Sequence, residues 1–153
     1  MAAGSITFVH QFKVDLGNKI HDLDGDTFKL ALVTSVVTPA ASDAAPHFGG
    51  TGTTNYATNE VSAGGNYSAG GLTLANVTFS NAGGTVSWKA DKASIAYNPS
   101  NPTNARWGVI YNSTDANKRA VAILDFGAVL DLSKGPFEWR FSSIDGNGTI
   151  ATL

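Results

Sequence analysis

Ala105-Arg-Trp-Gly-Val-Ile-Tyr111 and, after a run of turn formers, Ala120-Val-Ala-Ile-Leu-Asp-Phe126 are the stretches that decide the fold class. In the first, Trp107, Val109 and Tyr111 recur at every second residue, which puts all three on one face of a strand. The second is an apolar run of strand length. Working outward, segments of the same kind occur at 60–67, 72–79, 85–90, 94–97, 137–141 and 149–153. In 137–141, Phe137, Trp139 and Phe141 share one side while Glu138 and Arg140 face away. Towards the N-terminus, Phe28, Leu30 and Leu32 alternate with Lys29 and Ala31, a half-buried strand. Turn residues separate these segments: Ala63-Gly-Gly, Ala69-Gly-Gly, Gly83-Gly84, Asn98-Pro-Ser-Asn-Pro102, Gly135-Pro136 and Asp145-Gly146. About nine short strands without alternating helices imply a mainly all-β protein, an antiparallel β-sandwich or jelly roll.

The N-terminal part reads differently. Phe8, Val9, Phe12, Leu16 and Ile20 draw one stripe at a spacing of about four, which predicts an amphipathic helix over 8–20 with Ser5 or Thr7 capping its start. An extended arm reaching a neighbouring subunit is the rival reading. The expected layout is a single domain over 1–153, with the N-terminal helix or arm over 1–25 and the β-sandwich over 26–153. Residues 34–55 have no periodicity and contain Pro39, Pro46 and Gly49-Gly-Thr-Gly52. They are expected to form one long loop that makes contacts or is mobile.

Hydrophobic residues make up 42% of the 153-residue chain and charged residues only 14%, well below the roughly 25% of ordinary soluble domains. Ser, Thr, Asn and 17 glycines take the places that Lys and Glu usually fill. With 10 basic residues and a net charge of −2, the chain offers no dense basic patch for phosphates, so no nucleic-acid partner is expected. The absence of cysteine excludes disulfides, thiolate metal sites and cysteine nucleophiles. No run approaches the ~20 apolar residues of a membrane span, and Met1-Ala-Ala-Gly-Ser-Ile6 lacks the basic and apolar regions of a signal peptide. No membrane is expected, and the chain reads as soluble and unprocessed.

The motifs that resemble chemistry each have a plainer reading. His10, His21 and His47 fall on the predicted helix, at its end and in the long loop, without an evident carboxylate to orient them. Gly65-Asn-Tyr-Ser68-Ala-Gly70 has one residue too many for a nucleophile elbow. No catalytic residue is assigned and the chain is not expected to be an enzyme; His47 is the sole candidate for a hydrolase. Asp22-x-Asp24-Gly-Asp26 suggests calcium, but Gly25 stands fourth rather than sixth and Val33 holds the twelfth place. A turn whose Asp side chains bond backbone N–H groups is the expectation, with no metal and no cofactor. Gly49-Gly-Thr-Gly52 lacks the spacing and the Lys-Ser/Thr ending of a phosphate loop, and reads as a flexible linker or loop tip. The sequons at Asn66, Asn76, Asn112 and Asn147 are read as composition. Trp88, Trp107 and Trp139 offer plates for stacking on a sugar, with core packing expected for at least two. Asp125, beside Phe126-Gly127, is expected to accept local backbone hydrogen bonds.

Four segments in order, Asp26-Thr-Phe-Lys-Leu-Ala-Leu-Val-Thr34, Glu60-Val-Ser-Ala-Gly-Gly-Asn-Tyr-Ser-Ala-Gly-Gly71, Ala105-Arg-Trp-Gly-Val-Ile-Tyr-Asn112 and Ala122-Ile-Leu-Asp-Phe-Gly127, resemble small structural proteins of tailed bacteriophages. The nearest role in that group is a head decoration, or cement, protein of a jelly-roll kind. The resemblance implies a homodimer or homotrimer that binds the major capsid protein on the virion surface after synthesis in the host cytoplasm, docking through the long loop or the N-terminal segment. It carries no catalytic residues. The alternative is a tail-fibre or receptor-binding module that recognises a host glycan through exposed aromatics.

Overall fold

The computed structural model describes residues 4–141 and 147–152. The elements in chain order are β1 (Ile6–Phe8), α1 (His10–Gly17), β2 (Phe28–Val33), β3 (Pro46–His47), β4 (Thr54–Asn55), a 3-10 turn (Tyr56–Asn59), β5 (Leu72–Thr73), β6 (Thr78–Ala82), β7 (Thr85–Asp91), β8 (Ala93–Ile95), β9 (Ala105–Asn112), β10 (Ala120–Leu130), β11 (Phe137–Trp139) and β12 (Asn147–Thr152). The protein is mainly β, with one α-helix. The principal sheet is antiparallel, in the order β1-β10-β9-β2-β5; a second has the order β12-β7-β6, and β8 pairs with β11. These ladders do not spell out the paired Greek keys of a jelly roll.

The central strands are buried on both faces, and that explains their composition. Phe28, Leu30 and Leu32 pair with Asn112, Ile110 and Gly108 and so share one face with them. The second layer covers that face through Trp88 of β7, whose ring meets Phe28 edge-on at 4.9 Å. The opposite face carries Ala31, Val33, Trp107, Val109 and Tyr111. Here the segment 34–59 lies as a lid: Phe48 stacks on Tyr111 at 4.8 Å, and Tyr56 is fully buried. A sheet covered twice needs apolar residues at successive positions, hence the unbroken burial from Ala120 to Asp125.

Residues 34–55 are therefore neither featureless nor a free loop. Pro46–His47 and Thr54–Asn55 form a short parallel pair. Gly50 and Gly52 lie so close to the backbone of Asn117 and Ala45 that a Cβ would not fit. Thr53 donates to the Ala45 carbonyl at 3.2 Å, and Gly49 donates to Asn55 Oδ1 at 2.9 Å. The glycine run is a close-packed turn and not a linker.

Further expectations change. The helix begins at His10 rather than at residue 8, because Ile6–Phe8 adds to the β10 edge and its backbone bonds there. Val9 is the N-cap and makes no side-chain cap bond, so neither Ser5 nor Thr7 caps the helix. This N-terminal strand lies on its own sheet rather than on a neighbour. The expected strand 60–67 is a bent segment held by isolated bridges, Val33 to Glu60 and Gly64 to Tyr67, with Gly65 at positive φ. The expected strand 72–79 is broken at Asn76, also at positive φ, where the chain leaves the first sheet for the second. Phe137 and Trp139 do share a side, both against Phe126, while Glu138 faces out and pairs with Lys92 and Arg140. Among the described residues no helix is long and apolar enough to cross a membrane.

Candidate functional site

The polar side chains flagged by sequence separate into structural roles. In the turn 22–26, Asp22 Oδ1 accepts from the N–H groups of Asp24 and Gly25 at 3.1 and 2.9 Å. Asp24 Oδ1 accepts from Phe79 N–H at 3.1 Å, and Asp26 Oδ2 accepts from Asp22 N–H and from Asn112 Nδ2. Each carboxylate points to a different donor, which is how a turn is stapled rather than how one cation is surrounded.

The most concentrated polar cluster lies beneath α1. His21, whose side chain is fully buried, accepts from Asn112 Nδ2 at its Nδ1 at 3.0 Å, which leaves the proton on Nε2. Nε2 faces Asp15 Oδ2 at 3.7 Å, and Arg119 Nε stands 3.8 Å from both Asp15 Oδ2 and Asp115 Oδ2. Gln11 holds the other Asp15 oxygen at 2.9 Å. The cluster thus joins the helix, the 22–26 turn and the β9–β10 connection. Sequence reading gave His21 no carboxylate partner; Asp15, six residues earlier, supplies one because the helix end folds back over it. The cluster ties these three segments together and so acts as a brace.

Burial lowers the His21 pKa from its ordinary 6.5, outweighing the pull of Asp15, Asp115 and Asp26 that favours the charged ring. The unfolded ring therefore takes up a proton that the folded ring resists. Stability present above about pH 6.5 is lost as pH falls from there to the lower folded-state value, and no further below it. Urea midpoints measured between about pH 7.5 and 5 should decline in the wild type, and His21→Gln should flatten that decline.

The remaining flagged residues lie elsewhere. His47 is buried in the lid, its Nδ1 accepting from Gly50 N–H at 3.1 Å, whereas His10 is exposed at the helix start. Asp125 accepts from Gly127 N–H at 2.7 Å as expected, and also pairs with Arg106, which stacks over Trp107. The Arg106 guanidinium first, and Gly127 N–H with it, hold the Asp125 carboxyl below its usual range. Trp88 and Trp107 are core residues, and Trp139 is half-buried. Asn112, a sequon with no exposed surface, is closed to glycosylation in the folded chain; Asn66 is exposed and bonds the carbonyl of Ala96. The Asn147 side chain lies outside the described part.

What sequence reading missed is the distribution of charge. Residues 61–88 contain no Asp, Glu, Lys, Arg or His. That stretch supplies β5 and β6, terminal strands of both sheets, and Thr73, Ala75, Asn76 and all of β6 are exposed. Glu60, just before it, is held by the Tyr67 hydroxyl and Gly70 N–H, each at 2.7 Å. These two strands, β5 and β6, therefore present exposed Thr, Ser and Asn side chains and carry no charge of their own, while Asp91 bonds Asn76, Asp24 bonds Phe79 N–H, and Lys29 and Lys89 stand opposite Thr73 and Thr78. An apolar groove of about 420 Å³ also lies between α1 and β12, lined by Phe8, Phe12, Leu16 and Ile150. Comparisons with protein-family models, curated proteins and solved structures find no match.

Proposed function

We propose that this chain is a structural protein of a virus particle, a head decoration protein of the tailed-bacteriophage type that binds the major capsid protein and stabilises the head. Beside the motif resemblance, the observation that carries the reading is the charge-free stretch 61–88, which supplies the terminal strands β5 and β6. Interface cores are depleted in Lys, Glu and Asp, and a Thr/Ser/Asn surface forms hydrogen bonds without the desolvation cost of ions. A lattice repeats its surfaces, so modest contacts add through avidity. The lid 34–59 is engaged on its own sheet, which shifts the expected contact from that loop to the β5–β6 side.

Purified protein mixed with undecorated heads is expected to co-sediment and to raise the temperature at which heads open. Heads that gain neither bound protein nor heat resistance would exclude the role. The glycan-binding alternative loses two of its plates, since Trp88 and Trp107 are buried; Trp139 is half-buried, and among the described residues Tyr97 and Phe79 are the exposed rings. A specific sugar ligand lost in Tyr97→Ala would restore it.

A further inference from the structure

Strand edges invite pairing with other chains, and proteins blunt them with short length, charge, proline or bulges. Among the described residues most of the terminal strands here are blunted. β1, β8 and β11 have three residues each and β5 has two. β12 carries a register shift between Thr149 and Ala151. β6 is different: Thr78-Phe-Ser-Asn-Ala82 is five residues long, in unbroken register with β7, exposed throughout, and without charge or proline. Gly83 and Gly84, both at positive φ, close the β6–β7 hairpin as a two-residue turn. In such a hairpin the Ala82–Thr85 and Ser80–Ser87 pairs exchange the ladder bonds, so the backbone groups of Phe79 and Asn81 point outward. The bond from Phe79 N–H to Asp24 agrees with that phase.

We propose that β6 is a self-association edge, at which two copies of this chain pair antiparallel about a two-fold axis at Asn81. Each Asn81 N–H then donates to the Asn81 carbonyl of the other copy, joining two three-stranded sheets into one of six. Asp24, seated on Phe79 N–H, stops the added strand and fixes this register. Among the described residues it is also the one charge bonded to this edge. Phe79 lies two residues from the axis, so the two Asp24 caps stand about 13 Å apart along the strands, beyond the roughly 8 Å screening length of physiological salt. The edge thus meets its own copy without like-charge repulsion, whereas a strongly charged partner would find nothing complementary. Pairing over so few residues is weak, with a Kd on the order of 1 mM in free solution, and a repeating surface would reinforce it. The inference rests on the decoration reading only for its biological use.

The test uses the full chain in solution. Amide NMR shifts and translational diffusion, followed from about 50 µM to about 2 mM, are expected to change with concentration, with the shifts centred on residues 80–82. Asn81→Pro removes the outward N–H but no ladder bond to β7, and should weaken dimerisation at least about tenfold. Asn81→Lys, which keeps the outward N–H, should do the same by placing two ammonium groups at the axis; both variants lose the bond from Gly84 N–H to Asn81 Oδ1, and Asn81→Ala, which loses that bond alone, should leave the dimer in place. Concentration-independent shifts at 80–82, or a dimer that survives both Asn81→Pro and Asn81→Lys, would overturn the proposal. A dimer that forms as described but leaves heads unbound counts against the decoration role alone.

Discussion

Trp88→Ala is expected to lower the free energy of unfolding by about 3–5 kcal/mol, a large part of the roughly 5–15 kcal/mol that holds a domain folded. The ring has no exposed surface. It meets Phe28 of the principal sheet edge-on and stacks on Phe12 of α1 at 6.2 Å, so it touches both layers and the helix. Its Nε1 donates to the Leu23 carbonyl at 3.0 Å, fixing the chain just where it turns from helix to β2. Alanine removes the fill between three elements and orphans a buried carbonyl. Trp139→Ala provides the comparison, since that ring is half-buried and packs mainly on Phe126; its loss should be clearly smaller. Urea unfolding followed by far-ultraviolet circular dichroism measures both. Equal losses would mean that Trp88 does not join the layers.

The strands legible in sequence were those with one kind of neighbour or a long run. Trp107, Val109 and Tyr111 alternate, and β9 lies where they predict. Phe8 reads as the start of the helix because Phe8 and Val9 fit a helical stripe as well as a strand end. Only the free edge of β10, which sequence does not display, decides between them. Pro46 and His47 were assigned to a loop because a two-residue strand has no period, and because the lid draws its order from the sheet beneath it. The His21 cluster had the same fate. Asp15 was visible as a helix residue and Asn112 as a sequon, but their meeting depends on a register spanning 91 residues between His21 and Asn112. The Arg106–Asp125 pair likewise follows from Trp107 standing opposite Asp125 in the ladder. The uncharged stretch 61–88 was open to inspection throughout; its meaning needed the topology that places β5 and β6 at the limits of two sheets.

Asn112→Ala is expected to cost about 3–4 kcal/mol, because one fully buried amide serves four partners and each buried polar group left alone costs about 1–3 kcal/mol. Its Nδ2 donates to Asp26 Oδ2 at 2.6 Å and to His21 Nδ1, and its Oδ1 accepts from the N–H groups of Thr114 and Asp115 at 2.9 and 3.1 Å. No other side chain of the β9–β10 connection reaches both the 22–26 turn and His21 in the described structure. Asn112→Asp separates lost bonding from lost volume, because it keeps the shape and the two backbone acceptor bonds while setting a carboxylate against Asp26. The folded variant should then hold an extra proton, either on the new carboxyl, which the unfolded chain releases above about pH 4, or on His21, which the unfolded chain releases above about pH 6.5. That proton offsets the one that unfolded His21 takes up on acidification. Asn112→Asp should therefore hold its stability between pH 7 and pH 5, where the wild type loses stability through His21. Unfolding curves at the two pH values read the difference directly. A variant that follows the wild type downward would show that Asn112 does not bridge the turn and the histidine.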